Sequence, residues 1–294
     1  MAQISDLEKK TGFNFIERNV KVGPNPKKPD EGIGTVYERI VIDEYFKKIK
    51  NKYNLKTICE TPADGVTGVP GINSLVFARE GGEVILTNPS KLMLDNAKIV
   101  WQREKLISKV KFAKSEIDKL PFKSRSFDLV WNYCMFERFK EPVALVAEMK
   151  RISKNYVMIM TQNCWNLGTV AHFIYHKLGK LEWDHGLARQ MRIKAIKEAL
   201  SKCNLEPIEQ GTIDTPPWLD TWDMPLRGEL KNILGKFGKK WEWETKSTDK
   251  KEVKNTSSKL VNFCIWVEKN LPEWFAYSQT HHIYILAKKK IKRI

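Results

Sequence analysis

The chain has 294 residues, of which 42% are hydrophobic and 29% are charged, so it can bury a large core and is excluded from the disordered, collagen-like and coiled-coil classes. Its 51 Lys and Arg against 35 Asp and Glu give a net charge of +16, which keeps polyanions and acidic lipid surfaces among the candidate partners. The longest apolar stretches, such as residues 260–267, are far shorter than the roughly 20 residues that span a bilayer, and the N-terminus carries no apolar signal segment, so we expect a cytoplasmic protein without a membrane span.

The positive charge is spread over many segments as lysines and accompanies no nucleic-acid-binding motif. This pattern favours plain solvation of the surface over a nucleic-acid interface, although peripheral contact with a membrane stays open. The cysteines are widely spaced and form no C-x-x-C pair, which predicts reduced thiols with neither a disulfide framework nor a zinc site. They are Cys59, Cys134, Cys164, Cys203 and Cys264.

Gly and Pro recur between residues 23 and 34, and these breakers predict an irregular N-terminal arm over residues 1–34. Residues 35–52 carry apolar side chains at helical spacing and predict an amphipathic helix that packs on the following sheet. Short apolar runs then alternate with helix-length segments, which predicts an α/β fold with parallel strands and helices on both faces. The predicted strands are 57–60, 83–88, 109–113, 127–132 and 156–161, and two of the predicted helices are 89–101 and 141–152.

The C-terminal third continues with a predicted helix over residues 186–202, a strand over 207–213 and a last strand over 282–288. A Trp- and Pro-rich stretch separates the last two strands and predicts an irregular insertion, residues 216–275. It is either a lid over a substrate or a subdomain that the tryptophans attach to the core. The main domain then comprises residues 35–215 and 276–294.

Three loops follow the carboxyl ends of the predicted strands, where ligands bind in open parallel sheets. The first begins with the acid Glu60 and continues through three glycines, which let the backbone approach a ligand or simply make a tight turn. The second begins with Asn88, whose side chain can bond a ribose hydroxyl, and a helix follows it. The third spans residues 115–122 and leads into the fourth strand.

The order of these segments resembles the class I S-adenosylmethionine-dependent methyltransferases, particularly the group related to ubiquinone and menaquinone C-methyltransferases. Residues 88–97 are similar to the family pattern D-x-S-x-x-M-L-x-x-A, residues 115–122 to G-D-A-E-x-L-P-F, and residues 151–154 to R-V-L-K, while residues 126–130 match S-F-D-x-V. The resemblance covers residues 57–161 and implies a Rossmann-like, mostly parallel seven-stranded sheet with S-adenosyl-L-methionine as cofactor. It assigns to the cofactor Glu60, Asp64, Gly65, Gly68, Gly71, Asn88, Ser115, Glu116, Ile117 and Asn132.

The chain departs from the family pattern in its first two loops. Pro62 and Asp64 stand where glycines are expected, and the neutral Asn88 stands where the family has the acid that binds the ribose. Because an amide accepts fewer hydrogen bonds than a carboxylate, weaker binding, a shifted pose or a different nucleotide-like ligand all stay open. The same departures motivate a second hypothesis, a non-catalytic methyltransferase-like binding or regulatory subunit.

Methyl transfer from a sulfonium is an in-line displacement. Positioning the two reactants can reduce its activation free energy by about 7–11 kcal/mol, so a catalytic base is optional. We expect His185 to be that base, because it lies beside Gly186 at the start of a predicted helix by the pocket. His172 and His176 are one helical turn apart, but no third ligand accompanies them, and His281 and His282 are expected to be structural, so no metal site is predicted. The predicted substrate-binding residues are Tyr133, Glu137, Asn163, Trp165, His172, His176, Trp183, Trp218 and Trp222.

The expected function is therefore the transfer of a methyl group to a small-molecule or lipid-like acceptor. RNA methylation, suggested by the net charge of +16, is a further alternative. It is less favoured because residues 132–137, after the fourth strand, lack the D/N-P-P-Y/F signature of amino-directed nucleic-acid enzymes.

Overall fold

The computed structural model describes residues 33–63, 70–117, 119–180, 183, 186–215 and 258–290. The predicted N-terminal arm lies outside these residues except for Ile33 and Gly34, which begin the first helix. None of the described helices is both long and apolar enough to cross a membrane.

Seven strands form one sheet in the described part of the chain, and they confirm the predicted α/β fold. Their order is β3-β2-β1-β4-β5-β7-β6, and β7 is antiparallel to both of its neighbours while the other pairs are parallel. The predicted strand positions agree with the observed ones to within three residues. The strands are β1 (Thr57–Glu60), β2 (Glu83–Asn88), β3 (Val110–Lys114), β4 (Phe127–Tyr133), β5 (Ser153–Gln162), β6 (Leu205–Ile213) and β7 (His282–Lys289).

Helices cover both faces of the sheet, as the alternating sequence pattern predicts for a parallel sheet with crossovers. On one face, Phe46 of the first helix stacks on Phe77 at 4.7 Å and meets Trp131 of β4 edge-on at 4.7 Å. On the other face, Met149 and Leu200 pack in a second buried cluster. The helices are α1 (Ile33–Lys52), α2 (Leu75–Arg79), α3 (Lys91–Arg103), α4 (Val143–Ile152), α5 (Leu167–Leu178), α6 (Ile193–Lys202), α7 (Ser258–Asn270) and α8 (Glu273–Gln279).

Strand order reverses at β1, because β2 lies on one side of it and β4 on the other. In open parallel sheets, this switch point opens a crevice beyond the carboxyl ends of the strands. The loops after β1, β2 and β4 therefore converge on one place, which the sequence pattern had singled out.

Two sequence predictions about the C-terminal part are wrong. The helix predicted over residues 186–202 begins only at Ile193, because Gly186 has a φ of 99° and the Leu187 N–H donates to the Glu137 carbonyl oxygen at 2.7 Å, which holds the preceding segment in turns. The described end of the insertion is also helical rather than irregular, since α7 and the first three residues of α8 lie within it. The predicted domain boundary between residues 275 and 276 falls inside α8.

Candidate active site

Asparagines from the two strands that flank β1 hold the loop after β1 from both sides. The Asn88 Nδ2 donates to the Ala63 carbonyl oxygen at 2.5 Å, and the Asn132 Nδ2 donates to the Thr61 carbonyl oxygen at 2.9 Å. Both asparagines are fully buried. A carboxylate at either position has no proton to donate, so the asparagines are the residues that fit this loop.

Asn88 connects all three loops that the sequence pattern singled out. Its Oδ1 accepts from the Ser90 N–H at 2.7 Å, which orders the entry to α3, and its backbone carbonyl accepts from the Ser115 N–H at 3.3 Å. With the bond to Ala63, one residue fixes the loops after β1, β2 and β3 relative to each other. The predicted contact of Asn88 with a ribose stays a prediction.

Glu60, the acid that ends β1, faces a polar group in the core. Its Oε2 accepts from the Ser74 hydroxyl at 2.6 Å, and the Ser74 Oγ in turn accepts from the Trp131 indole N–H at 3.0 Å. Glu60 and Ser74 are both buried. This chain of bonds ties the start of the loop after β1 to the helical segment that follows the loop.

The far end of the same loop makes a close approach to β2 at Gly71. This residue has a φ of 69°, and a Cβ there would lie 2.3 Å from the Cδ1 of Leu86, so only glycine fits without a shift of its neighbours. Two residues further on, the buried Oδ1 of Asn73 has no hydrogen-bond partner among the described residues. An unpaired buried acceptor beside a ligand loop fits a site that receives a donor from a ligand.

The Arg151 side chain fixes the backbone of the third loop. The Arg151 guanidinium donates to the carbonyl oxygens of Leu120 at 2.8 Å and Phe122 at 2.7 Å. It also pairs with the Glu148 carboxylate at 2.8 Å, and that carboxylate accepts from the Leu120 N–H at 3.0 Å. Within this loop Glu116 is exposed, and Ile117 is buried in the core cluster that also contains Leu120.

Six of the predicted site residues lie outside the described part of the chain, namely Asp64, Gly65, Gly68, His185, Trp218 and Trp222. The side chain of His172 is outside it as well. Their predicted roles therefore stay predictions.

Glu137 is a buried acid in the turn after β4. Its Oε1 accepts from the Gln162 N–H, at the end of β5, at 3.4 Å. Burial raises the pKa of the Glu137 carboxyl, more than the neighbouring Arg138 and the Gln162 N–H lower it. Gly186 packs against Glu137, since a Cβ on Gly186 would lie 2.8 Å from the Glu137 carbonyl oxygen. Gly186, the residue after the predicted base, thus lies directly beside Glu137.

Asn163 organises the turn after β5. Its Nδ2 donates to the carbonyl oxygens of Tyr277 at 2.6 Å and Thr280 at 3.0 Å, and its Oδ1 accepts from the Trp165 N–H at 3.1 Å. The Trp165 ring is 63% exposed, with the Arg192 guanidinium 5.4 Å from its centroid. Asn163 therefore joins the α5 entry to α8 and leaves the Trp165 ring at the surface.

Helix α5 begins just beyond the carboxyl end of β5 and presents an apolar face to solvent. Trp183 closes one side of this helix, with its ring 5.4 Å from Phe173 and 5.5 Å from His176, and its Nε1 donates to the Gly186 carbonyl oxygen at 2.7 Å. Because large exposed apolar faces mark binding surfaces, this one suits an apolar ligand. The exposed apolar residues of α5 are Leu167, Val170, Phe173, Ile174 and Leu178.

Tyr133, the last residue of β4, points away from this face into a buried polar cluster. Its hydroxyl bonds the Glu38 carboxylate of α1 and lies 3.2 Å from the Nε2 of His282. No role for Glu38 was predicted from the sequence, because the residue lies far from every motif and belongs to no local pattern.

The Glu268 side chain of α7 binds the backbone of the segment that follows β6. Its carboxylate accepts from the Asp214 N–H at 2.9 Å, the Thr215 N–H at 2.5 Å and the Tyr37 hydroxyl at 2.7 Å. Burial is the main cause that raises the pKa of Glu268 to about 7. Helix α7 is thus bonded to the segment after β6 and to α1 through a partly buried acid.

The fold and the crevice define a Rossmann-like α/β protein with the strand order of the methyltransferase fold. A family model described as a methyltransferase domain matches residues 66–159, the segment that runs from the loop after β1 through most of β5. The resemblance read from the motifs thus agrees with an independent match over nearly the same residues.

A curated protein is also similar in sequence to part of this chain. The chain is 31% identical over 120 residues to an uncharacterized methyltransferase of Schizosaccharomyces pombe, a stretch that is 38% of this chain and 40% of that protein. The chain therefore matches well under half the length of this curated relative.

Two solved structures share the fold. The magnesium protoporphyrin IX methyltransferase of Synechocystis PCC 6803, solved with bound SAH, aligns with a TM-score of 0.52 at 12% identity, over 87% of this chain and 84% of that one. The cyclase SpnF aligns with a TM-score of 0.53 at 15% identity, over 85% and 81%. Since one is called a methyltransferase and the other a cyclase, the shared fold alone does not define the reaction.

Proposed function

We propose that the protein is an S-adenosyl-L-methionine-dependent methyltransferase that acts on a small apolar or lipid-like acceptor. The observation that carries this proposal is the role of Asn88, which fixes the loops after β1, β2 and β3 relative to each other at the switch point of the sheet. The match of residues 66–159 to a methyltransferase domain supports the same cofactor.

The described residues fit the cofactor by their chemistry. Gly71 allows the loop after β1 to lie close to β2, the buried Oδ1 of Asn73 has no donor among the described residues, and we assign Glu116 and Ile117 as the polar and the apolar side chain that meet an adenine. We propose that these residues, with Glu60, Ser115, Asn132 and the predicted Asp64, Gly65 and Gly68, form the cofactor site. When bound, the cofactor supplies an electrophilic methyl group.

The chain's own contribution is to position the acceptor and to remove its proton where it carries one. Two candidates can accept that proton, the predicted His185 and the Glu137 carboxyl, whose pKa is raised by burial. A carboxyl with a raised pKa is a better base near neutral pH than an ordinary one. Positioning falls to the residues around α5, where we keep Asn163, Trp165, His172, His176 and Trp183, with Trp218 and Trp222 of the insertion. The predicted role of Tyr133 is not kept, because its hydroxyl lies in the buried cluster with Glu38 and His282.

The apolar face of α5 favours an apolar or lipid-like acceptor over RNA. A surface that binds a polyanion needs clustered Lys and Arg, whereas Phe173 and Ile174 are 51% and 50% exposed on this helix. We also propose a cytoplasmic location, because all five cysteines are free and reduced thiols are typical of that compartment.

Transfer of label from methyl-labelled cofactor tests both the reaction and the acceptor class. Purified protein is incubated with separated lipid, small-metabolite and RNA fractions from cells. We expect label in the lipid or small-metabolite fraction, and less of it with the Phe173→Ser and Ile174→Ser variants than with Ile208→Ser, which changes an exposed apolar residue on β6. Label in RNA alone would assign the acceptor to nucleic acid, and no label in any fraction would favour the non-catalytic hypothesis.

A further inference from the structure

Four residues from three segments that are distant in sequence bring metal-binding side chains together at the carboxyl edge of the sheet. Glu38 lies on α1, Asp214 follows β6, and His281 and His282 lead into β7. One ligand atom from each lies within 4.8 Å of those of the other three. We propose that this carboxylate–histidine cluster binds one divalent first-row transition-metal ion such as Zn²⁺.

The backbone holds two of the ligand segments side by side without help from an ion. Ile213 pairs with His282 in the β6–β7 ladder, and the His281 N–H donates to the Asp214 carbonyl oxygen at 3.0 Å. Asp214 itself adopts a left-handed φ of 74°. A non-glycine residue pays a strain cost for this conformation, and such strain concentrates at functional sites.

The distances between the side chains fit a single coordination sphere. The Nδ1 atoms of His281 and His282 lie 3.2 Å and 3.7 Å from the Asp214 Oδ2. With metal–ligand bonds of about 2.0–2.1 Å, neighbouring ligand atoms of a tetrahedral site are about 3.3 Å apart. The two distances to Asp214 are close to this value, and all four ligand atoms lie within 4.8 Å of one another.

Burial and charge also favour a cation in this place. Glu38 and His282 are 0% and 1% exposed, and Asp214 is 3% exposed. Buried carboxylates are stable when they are paired or coordinate a metal, so a divalent ion suits this place. The side chain of His281 is 17% exposed and offers an entry path from solvent.

Tyr133 orients one ligand in the manner typical of metal sites. Its hydroxyl lies between the Glu38 carboxylate and the Nε2 of His282. An ionised carboxylate only accepts hydrogen bonds, so the Tyr133 proton points at Glu38 and the hydroxyl oxygen accepts from the His282 Nε2–H. That tautomer turns the Nδ1 lone pair of His282 towards Asp214, and a hydrogen bond on the far ring nitrogen is the usual support of a metal-bound histidine.

The donor set selects the ion. Imidazole nitrogens suit Zn²⁺ and its neighbours, whereas Mg²⁺ and Ca²⁺ prefer oxygen ligands and larger coordination numbers. The sequence predicted no metal site, because the four ligands come from opposite ends of the chain and show no local spacing.

Metal titration of the full chain tests the proposal without reference to methyl transfer. Protein treated with a chelator and desalted is titrated with Co²⁺, an optical stand-in for Zn²⁺, and then with Zn²⁺ in competition. We expect one equivalent of Co²⁺ with the intense visible bands of a tetrahedral site, their loss on addition of Zn²⁺, and a higher Tm with either ion. A wild-type protein that binds neither ion stoichiometrically would overturn the proposal, whatever its affinity for S-adenosylmethionine.

Variants locate the bound ion. We expect His281→Ala and Asp214→Asn each to weaken Co²⁺ binding by about 100-fold or more, and Tyr133→Phe by about 10-fold, as for loss of a supporting partner. His176→Ala, a histidine on α5 away from the cluster, serves as the control and keeps full binding. Circular dichroism before titration identifies variants that fail to fold. Equal Co²⁺ affinity in wild type, His281→Ala and Asp214→Asn would show that any bound ion lies elsewhere and would overturn the assignment.

Discussion

The Asn88 side chain donates a hydrogen bond to the Ala63 carbonyl oxygen at 2.5 Å, so the residue that replaces the family's acid holds the loop of the neighbouring strand. An aspartate at this position cannot donate, and its charge would face a carbonyl oxygen in a fully buried place. The neutral side chain is thus matched to the loop that carries Pro62 and Ala63.

Restoring the family's acid is therefore expected to harm the protein. We predict that Asn88→Asp lowers the free energy of unfolding by about 1–3 kcal/mol, the cost of a buried unpaired group, and weakens S-adenosylhomocysteine binding. Urea unfolding and calorimetric titration measure the two effects, with Asp95→Asn on the exposed side of α3 as the control. Tighter binding in Asn88→Asp than in wild type would show that the side chain meets the ribose instead.

Gly71 gives a test of the close approach between the first loop and β2. Because a Cβ would lie 2.3 Å from Leu86 at a φ of 69°, we predict that Gly71→Ala lowers the free energy of unfolding by about 1–3 kcal/mol through overpacking and strain. Gly81→Ala is the matched control, since Gly81 also has a positive φ, 84°, but nothing within 4 Å of its Cβ position. An equal loss in both variants would mean that Leu86 moves aside at no cost.

The Arg151 and Glu148 pair predicts a pH dependence of stability. The Arg151 guanidinium holds the pKa of Glu148 below its ordinary value of 4.5. The carboxylate therefore stabilises the fold fully above that value, and the stabilisation is lost as the pH falls through the lower folded pKa. We predict that Glu148→Gln is less stable than wild type at pH 7 and that the difference shrinks below about pH 4.5. A difference that does not change between pH 7 and pH 3 would contradict the ion pair.

The same pair is expected to act on cofactor binding through the third loop. A lysine at position 151 cannot reach both carbonyl oxygens and Glu148 at once, because it lacks the planar fork of arginine. We predict that Arg151→Lys weakens S-adenosylhomocysteine binding by about three- to tenfold, which is about 1 kcal/mol. Unchanged affinity would show that the loop keeps its shape without the bonds to Leu120 and Phe122.

Glu137 and His185 are the two candidate bases, and their variants distinguish them. If Glu137 accepts the proton, Glu137→Gln lowers kcat by about 100-fold or more and removes the acid limb of the pH–rate profile, with the cofactor Kd unchanged. Glu141→Gln, an exposed acid close by in sequence, is the control. A large loss of kcat in His185→Gln with full activity in Glu137→Gln would assign the role to the histidine.

Sheet strands were predictable because their signal is local. Thr57–Glu60 and Glu83–Asn88 are short apolar runs bounded by turns, and both were predicted with the observed limits. The helix predicted from Gly186 failed because its first residues bond to the turn that contains Glu137, a contact made across the fold. Helices α7 and α8 were missed because their tryptophans suggested an irregular connection.

Residues of the candidate site could be predicted from the sequence only where they belong to a motif. The residue positions around Asn88 and Ser115 follow from the order of the motifs, but the donation from Asn88 to Ala63 depends on how two strands lie side by side. Glu38 and Asp214 meet His282 only because the start of α1, the end of β6 and the start of β7 lie at one edge of the sheet. No spacing in the sequence contains that information.

Calorimetric titration of the purified protein with S-adenosylmethionine and S-adenosylhomocysteine tests the central claim most directly. We predict one site per chain with micromolar affinity for both ligands, and weaker binding in Asn88→Ala, which loses the bond that joins the loops. Absence of binding by either ligand to the folded wild-type protein would contradict the assignment of the crevice to this cofactor.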